Sequence, residues 1–477
     1  GTLPTVLEDF SSELSRRVAG GVRDINSLLS HGIERAQQSL ENTPNQLPVL
    51  KQAGVVDAGG QGFVDLLEGI WTYIQKGEVD PEVADLQGDL TGPLEQYDVG
   101  DHRYCTECVI EGDALDREAV MARLEELDAS SLVVAGGCGR VRVHIHVNNP
   151  AEVYLVCEDF GRVMQQKADD MERQHSLLDH PGEVAIVVDS AADIPLSEAE
   201  RLGIQIVPVR LSFGARDYMD GVSITAEEFY EKLAESEEAP KTSQPPAQDF
   251  ARVYSLLTSH GYKVISIGVS EQLSGTIDAA RQAAGREGMG EIRVIDSRGA
   301  SCSEGLLAMV AAEAAAEGKS VDEVEALVRD LIPKARVFGI ADDLKYAVKG
   351  GRVPSWVYKL TRALHINPVL TASPEGKVGP GGVHIGRGAN PKRLAKTLVK
   401  NMAPDTMYRV LISHANNEEA ARAVRHQVLA NHGRIHSCHV TDARPALGVH
   451  VGPGGLFAGF VPQPDTLNRT SSRVRDK

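Results

Sequence analysis

Two kinds of apolar pattern divide the chain. From residue 183 onward, short runs of consecutive β-branched and aliphatic residues recur: VAIVVDS, IQIVPVRL, VISIGVS, IRVIDS and RVFGIAD. Runs without polar alternation mark strands covered on both faces, as in a parallel sheet. Helix-spaced segments follow several of them, such as LLAMVAAEAAAEG after IRVIDS, so the pattern predicts βαβ units. YRVLISHA, NEEAARAVRHQVLANHG and IHSCHVTD form a second, smaller α/β half. The predicted fold is therefore two-lobed α/β over 183–461, with lobes at roughly 183–340 and 341–461. The tail from Pro462 to Lys477 is polar and is expected to fray.

Upstream the pattern changes. Residues 101–175 read as a small α/β middle domain: strand YCTECVIEG, helix EAVMARLEEL, strands SLVVAG and RVRVHIHV, and a helical stretch AEVYLVCEDFGRVMQQKADDM. Residues 1–80 read as helical, with apolar residues three and four apart over Val6–Val18 and Gly21–Leu40 and a third helix after Asp57. Acidic, Gly- and Pro-containing residues 78–100 read as a linker, and 172–182 as a second. No repeat of solenoid period is present.

Composition narrows the function classes. A length of 477 residues exceeds what one core of roughly 250–300 residues supports, which predicts three domains. With 49 basic against 67 acidic residues and a net charge of −18, the chain lacks the cationic excess of a nucleic-acid binder. The same balance weakens tight docking on anionic lipid, leaving transient membrane contact. Six cysteines are too few for a disulfide framework and fit a reducing compartment, so a cytoplasmic location is expected. No apolar run is long enough to span a bilayer. The first residue is Gly1 and the opening reads as mid-domain, so an incomplete amino terminus is expected.

Candidate chemistry gathers at strand ends. In VISIGVSEQLSGT a buried strand runs into a helix start at Ser274, Gly275 and Thr276. Their hydroxyls and the free amides of the first turn suit an anion at the carboxyl end of a parallel sheet; the alternative is that Ser274 only caps the helix. Thr242 and Ser243 in KTSQPP sit on a proline-stiffened loop, either a plain turn or part of a polar site. Asp189 and Ser190 end a strand, where an acidic cap is commonplace. Arg352 in KGGRV offers a fork of donors for a carboxylate or phosphate, against the default of a solvated arginine. His450, between a strand and a glycine-rich loop, is either a ligand contact or a buried histidine satisfied by the backbone. A serine hydrolase is poorly supported, because GVSEQ lacks the second glycine of a nucleophile elbow. In the middle domain, His144 and His146 lie two apart on a strand and share a face. With Cys105 they offer zinc a thiolate and two imidazoles, with Cys108 as an alternative fourth ligand; a plain buried histidine pair is the rival.

DSAADIP, DYMDGVSIT, KTSQPP, SEQLSGT, VIDS, ADDLKYAVKGGRV and HVGPGGL stand in one order across 183–461. This succession resembles the DegV family. The resemblance implies that a long-chain fatty acid lies between the lobes and that a separate kinase domain phosphorylates its carboxylate to an acyl phosphate. By position it implies that Ser274, with Gly275 and Thr276, meets the carboxylate, supported by Thr242, Ser243, Arg352 and His450. Val451 stands where the family often has threonine and Asn367 where a lysine is common. GTLPTVLEDF and GVVDAGGQGFVDLLEGIW resemble the carboxyl-terminal half of a DhaL (Dak2) kinase domain, with Asp57, Gly59 and Gly60 on its nucleotide-binding turn; a tight helix–helix turn is the other reading. The metal-binding aspartates of that family are not in this chain, so ATP and Mg are expected only with a complete kinase domain. YCTE, VRVHIHVNNP and MERQ resemble the middle domain of fatty acid kinase subunits. Expected partners are a fatty acid, a kinase or acyltransferase, and further copies of the chain. The rival functions are a complete fatty acid or dihydroxyacetone-like kinase lacking its first segment here, and a non-catalytic regulatory scaffold.

Overall fold

A computed structural model describes residues 2–47, 50–51, 55–76, 101–113, 115–137, 139–172, 183–214, 216–236, 238–351, 353–364, 366–385 and 390–467. The chain forms two compact units, 1–98 and 99–477.

The first unit packs helices Thr2–Ala19, Ile25–Glu41 and Ala58–Lys76 around Val6, Ile33, Ala36, Leu40, Val64 and Leu67. The second helix starts at Ile25 rather than Gly21. Asp24 caps it by accepting from the Ser27 amide at 2.8 Å, and Gly21, at φ +91°, belongs to the preceding turn.

The second unit begins with an antiparallel sheet of β1 (Tyr104–Glu111), β2 (Ala129–Gly137), β3 (Arg140–Val147) and β4 (Arg162–Asp170), in the order β2-β3-β1-β4. The long helix expected over 151–171 is corrected here: it ends at Glu158, and its second half is β4. Gly161 marks the change. A Cβ there would sit 2.3 Å from the Glu111 carbonyl oxygen, so only glycine lets the chain return close enough to β1 to pair with it.

Beyond residue 183 the parallel sheet is built from β5 (Val184–Asp189), β6 (Gln205–Val207), β10 (Lys263–Gly268) and β11 (Ile292–Asp296), in the order β11-β10-β5-β6. A small antiparallel sheet joins β7 (Arg210–Phe213), β8 (Arg216–Met219) and β9 (Lys241–Ser243), with β7 central. The run IQIVPVRL is thus two strands in two sheets, divided at Pro208, which has no N–H for a ladder. A six-stranded sheet, β14-β13-β12-β17-β15-β16, forms the other lobe. Its strands are β12 (Arg336–Ile340), β13 (Ile366–Ala372), β14 (Val378–Ile385), β15 (Tyr408–His414), β16 (Ile435–Asp442) and β17 (Leu456–Pro462). RVFGIAD was expected in the first lobe. As β12 it pairs antiparallel with β13 and β17, so the change of sheet comes before residue 336 rather than at 341.

Between the two large sheets lies the helix Cys302–Ala316, buried on every side except at Glu313 and Ala316. Its alanines and Gly305 make this possible: a Cβ at Gly305 would lie 2.3 Å from the Ala192 carbonyl oxygen. Val188, Ile265, Leu306, Met309, Leu411 and Val461 belong to one core around it. A helix hydrophobic on nearly every side is the expected form for an enclosed element; buried Ser303 and Glu304 in its first turn are the exceptions.

Candidate functional site

Both lobes wall a cleft of about 170 Å³. Val269 and Leu273 come from the parallel-sheet lobe, and Val337, Ile340, Leu370, Ala372 and Phe457 from the six-stranded lobe. Polar groups enter from Thr242, Ser274, Thr276, Ser301, Thr371 and His450, so an otherwise apolar wall carries only a few hydrogen-bonding atoms.

The predicted residues Thr242, Ser274, Thr276 and His450 all line this cleft. Ser274 does not cap the helix in the ordinary way. The N-cap is Gly275, without a side-chain bond, while Ser274 Oγ lies 2.8 Å from Thr276 Oγ1 and accepts weakly from the Thr276 amide at 3.3 Å. Thr242 Oγ1 is 3.0 Å from His450 Nε2, a pair 208 residues apart in sequence. His450 lies in the helix Pro445–Val451 rather than between a strand and a loop, and the backbone at Gly350 packs on its ring; a Cβ there would fall 2.2 Å from Nδ1. Ser243 and Gly275 line an adjoining notch with Gln244 and Glu271, in which Thr242 and Ser274 also take part. Arg352 lies outside the described residues. Of the two departures from the family pattern, Val451 joins the apolar wall, and Asn367 donates to the Ala341 carbonyl at 3.0 Å.

Sequence reasoning missed the polar hub behind this wall. Asp193, fully buried at φ +46°, accepts from Ser301 Oγ at 2.6 Å, Ser413 Oγ at 2.8 Å and the Arg444 amide at 2.9 Å. Ser413 is on β15, so one carboxylate ties the two lobes together. Ser301 shares the strained left-handed region, at φ +53°. Only its place in a polar strand-to-helix turn, DSRGASCSEG, hinted at it. Asp189 fastens β5 to the end of β10 by accepting from the Val269 amide at 2.8 Å. Burial pushes Asp189 and Asp193 up to about 6, and burial with neighbouring Asp189 and Asp193 holds Glu304 well above the usual range.

Asp220 gives a pH test. Burial raises it from 3.8 to about 7, against the opposing pull of Arg444 and the hydrogen bond from Ser190, with Asp193 adding repulsion. A carboxyl raised in the folded state binds its proton more tightly there than when unfolded, so its ionisation removes stability as pH climbs from about 4 to about 7. Asp220→Asn is therefore expected to gain stability relative to the parent over that window, with an upper bound of roughly 4 kcal/mol. Urea unfolding of both proteins at pH 4.5 and 7.5 checks this, and a difference that stays constant with pH would refute it.

In the middle domain, Cys105, His144 and His146 come together: one donor atom from each lies within 4.8 Å of the others. Cys105 pairs with His146 across β1 and β3, and Cys105 Sγ lies 3.8 Å from His144 Nδ1. Cys108, the suggested fourth ligand, is corrected. It points to the opposite face, buried in the core with its sulfur 3.7 Å from that of Cys157. In the first unit, Asp57 starts the Ala58–Lys76 helix by accepting from the Gly60 amide at 2.6 Å, and its other oxygen accepts from Thr2 at 2.7 Å. A Cβ at Gly59 or Gly60 would stand 3.2 Å from a Leu3 methyl or 3.0 Å from a Leu40 methyl. These contacts are what close helix packing requires.

Among the described residues no helix is long and apolar enough to cross a membrane. Residues 183–462 match the family model described as "uncharacterised protein, DegV family". Residues 101–178 match the middle domain of fatty acid kinase-like proteins, and 1–72 the DAK2 domain. A DegV domain-containing protein of Deinococcus radiodurans is 30% identical over 280 residues, 58% of this chain and 98% of that protein. A fatty-acid-binding DegV family protein of Thermus thermophilus is 29% identical, with a TM-score of 0.54 over 59% of this chain and 100% of its own. A stearic-acid-binding protein of Eubacterium ventriosum is 26% identical, with a TM-score of 0.53 over 58% and 98%. With the motifs in order and more than half the chain matched, the chain belongs to the DegV family.

Proposed function

We propose that this chain binds a long-chain fatty acid in the cleft between the lobes and presents its carboxylate for ATP-dependent phosphorylation to an acyl phosphate. The observation that carries this reading is one apolar cleft, walled by both lobes, whose few polar atoms include Thr242, Ser274, Thr276 and His450. Solved relatives that bind fatty acids, and the upstream fatty acid kinase-like regions, support it. The tail supplies most of the affinity: about 15 methylenes at ~0.8 kcal/mol each give an upper bound near ~12 kcal/mol before ordering costs. The hydroxyls contribute less and fix which end faces the mouth. Hydroxyl donors suit a carboxylate that must later give an oxygen to phosphorus, since they hold it without burying it in an ion pair.

Membrane contact in this reading falls to the helix Ser355–Ala363. Trp356 and Leu360 on it, and Leu364 just beyond, form an exposed stripe with Lys359 and Arg362 nearby, and Val353, just before it, lines the cleft. The Cys105, His144 and His146 donor set fits zinc, which prefers thiolate and imidazole ligands. A zinc ion there would cross-link β1 to β3 and leave a fourth position to water.

Native mass spectrometry of the purified chain tests both assignments. The expected spectrum carries one long-chain fatty acid and one zinc per chain, and the zinc adduct is lost in Cys105→Ser. A chain free of lipid after gentle purification, and unable to take up added fatty acid, would overturn the function proposed.

A further inference from the structure

The middle domain does not hang from the DegV portion by a linker alone. Edge strand β4 lies against edge strand β8. Gln166 Nε2 donates to the Asp217 carbonyl at 2.7 Å, and Arg210 Nη1 reaches the Gln166 carbonyl at 3.4 Å. Arg216 pairs with Glu158 at 2.9 Å and Arg103 with Glu200 at 2.7 Å, each pair crossing between the two parts. Met219, 2% exposed, belongs to the middle domain's own core, with Val222 packed against it.

The sheet this interface grips also carries the mouth hydroxyls. β8 pairs with β7, and β7 with β9, with Arg210 opposite both Met219 and Ser243 and Leu211 opposite Thr242. Two strand spacings, about 10 Å, separate the interface from Thr242 and Ser243. The three strands are only four, four and three residues long. So short a sheet holds little geometry of its own and depends on what packs against it. On one side Thr242 is tied to His450. On the other, Arg210 is anchored by Asp249 and reaches Gln166.

We propose that the docked middle domain positions the acyl mouth: through β8 and β7 it holds β9 in its acid-binding place, with Arg210 as the positioning residue. This rests on the reading of the cleft as a fatty acid site. Its consequence is that the carrier domain in this chain is tuned by its covalently attached neighbour, as a separate carrier would not be.

The test uses the full chain and the release rate of a fluorescent long-chain fatty acid. Arg216→Glu, Glu158→Arg and Arg210→Ala should each speed release, within the roughly three- to thirty-fold range of coupling through packed networks. The double variant R216E/E158R should return release toward the parent rate. A purely structural role would lower the unfolding midpoint while leaving release unchanged in the folded protein. Hydrogen exchange over Arg162–Asp170 and Arg216–Met219 reports whether the parts have separated. Separation with unaltered release would overturn the proposal, as would a double variant as fast as the singles. A parent chain that takes up no fatty acid at all would instead overturn the cleft assignment itself.

Discussion

Ser274→Ala is expected to weaken fatty acid binding by roughly ten- to hundred-fold, the range for losing a hydrogen bond to a charged group. The protein should stay folded, because the Ser274 hydroxyl bonds only locally, to Thr276, its amide bond to Ser270 is kept in alanine, and the N-cap is Gly275. Isothermal titration with a long-chain acid measures the loss, and a thermal unfolding scan checks the fold. The variant should weaken acids of every length by a similar factor, since in the proposed site the missing bond would meet the headgroup alone. Undiminished affinity would remove Ser274 from the site.

Ala372→Trp addresses the other end of the ligand. Ala372 lies on β13 and lines the cleft, so an indole there fills space a tail would occupy. Excluding about four methylenes at ~0.8 kcal/mol each costs roughly 3 kcal/mol, about a hundred-fold in affinity. The loss should be steepest for the longest acids, and shorter acids should bind relatively better. A flat dependence on chain length would show that the tail lies elsewhere. Together the two variants separate headgroup from tail: one shifts all acids alike, the other reorders them.

The parts of the fold legible in the sequence were those whose local pattern and tertiary surroundings agree. VAIVVDS, VISIGVS and IRVIDS are strands because each is covered on both faces, and each lies in the parallel sheet. YRVLISHA, its following helix and IHSCHVTD likewise form a parallel pair. Misreadings arose where a long-range partner decides. RVMQQKADD has helix-compatible residues but is a strand, because β1 offers it a free edge. RVFGIAD reads like its predecessors but joins a sheet whose other strands come later in the chain. At the candidate site, the ordered motifs of the family resemblance pointed to Ser274, Thr242 and His450, which line the cleft; strand-end hydroxyls alone left capping and turn readings open. The apolar wall did not stand out: Leu370 or Phe457 looks like any core residue until the cleft is seen. Nor did Asp193, whose partners Ser301 and Ser413 stand 108 and 220 positions away.

The enclosed helix Cys302–Ala316 limits how a ligand can come and go. Its residues are part of one continuous core with strands of both large sheets, so a clamshell motion that swung the lobes apart would strip apolar surface from at least one side of that helix. Opening on that side therefore carries the cost of exposing this core. Under the proposed function, an acyl chain would enter and leave from the rim of the cleft rather than from the side this helix closes.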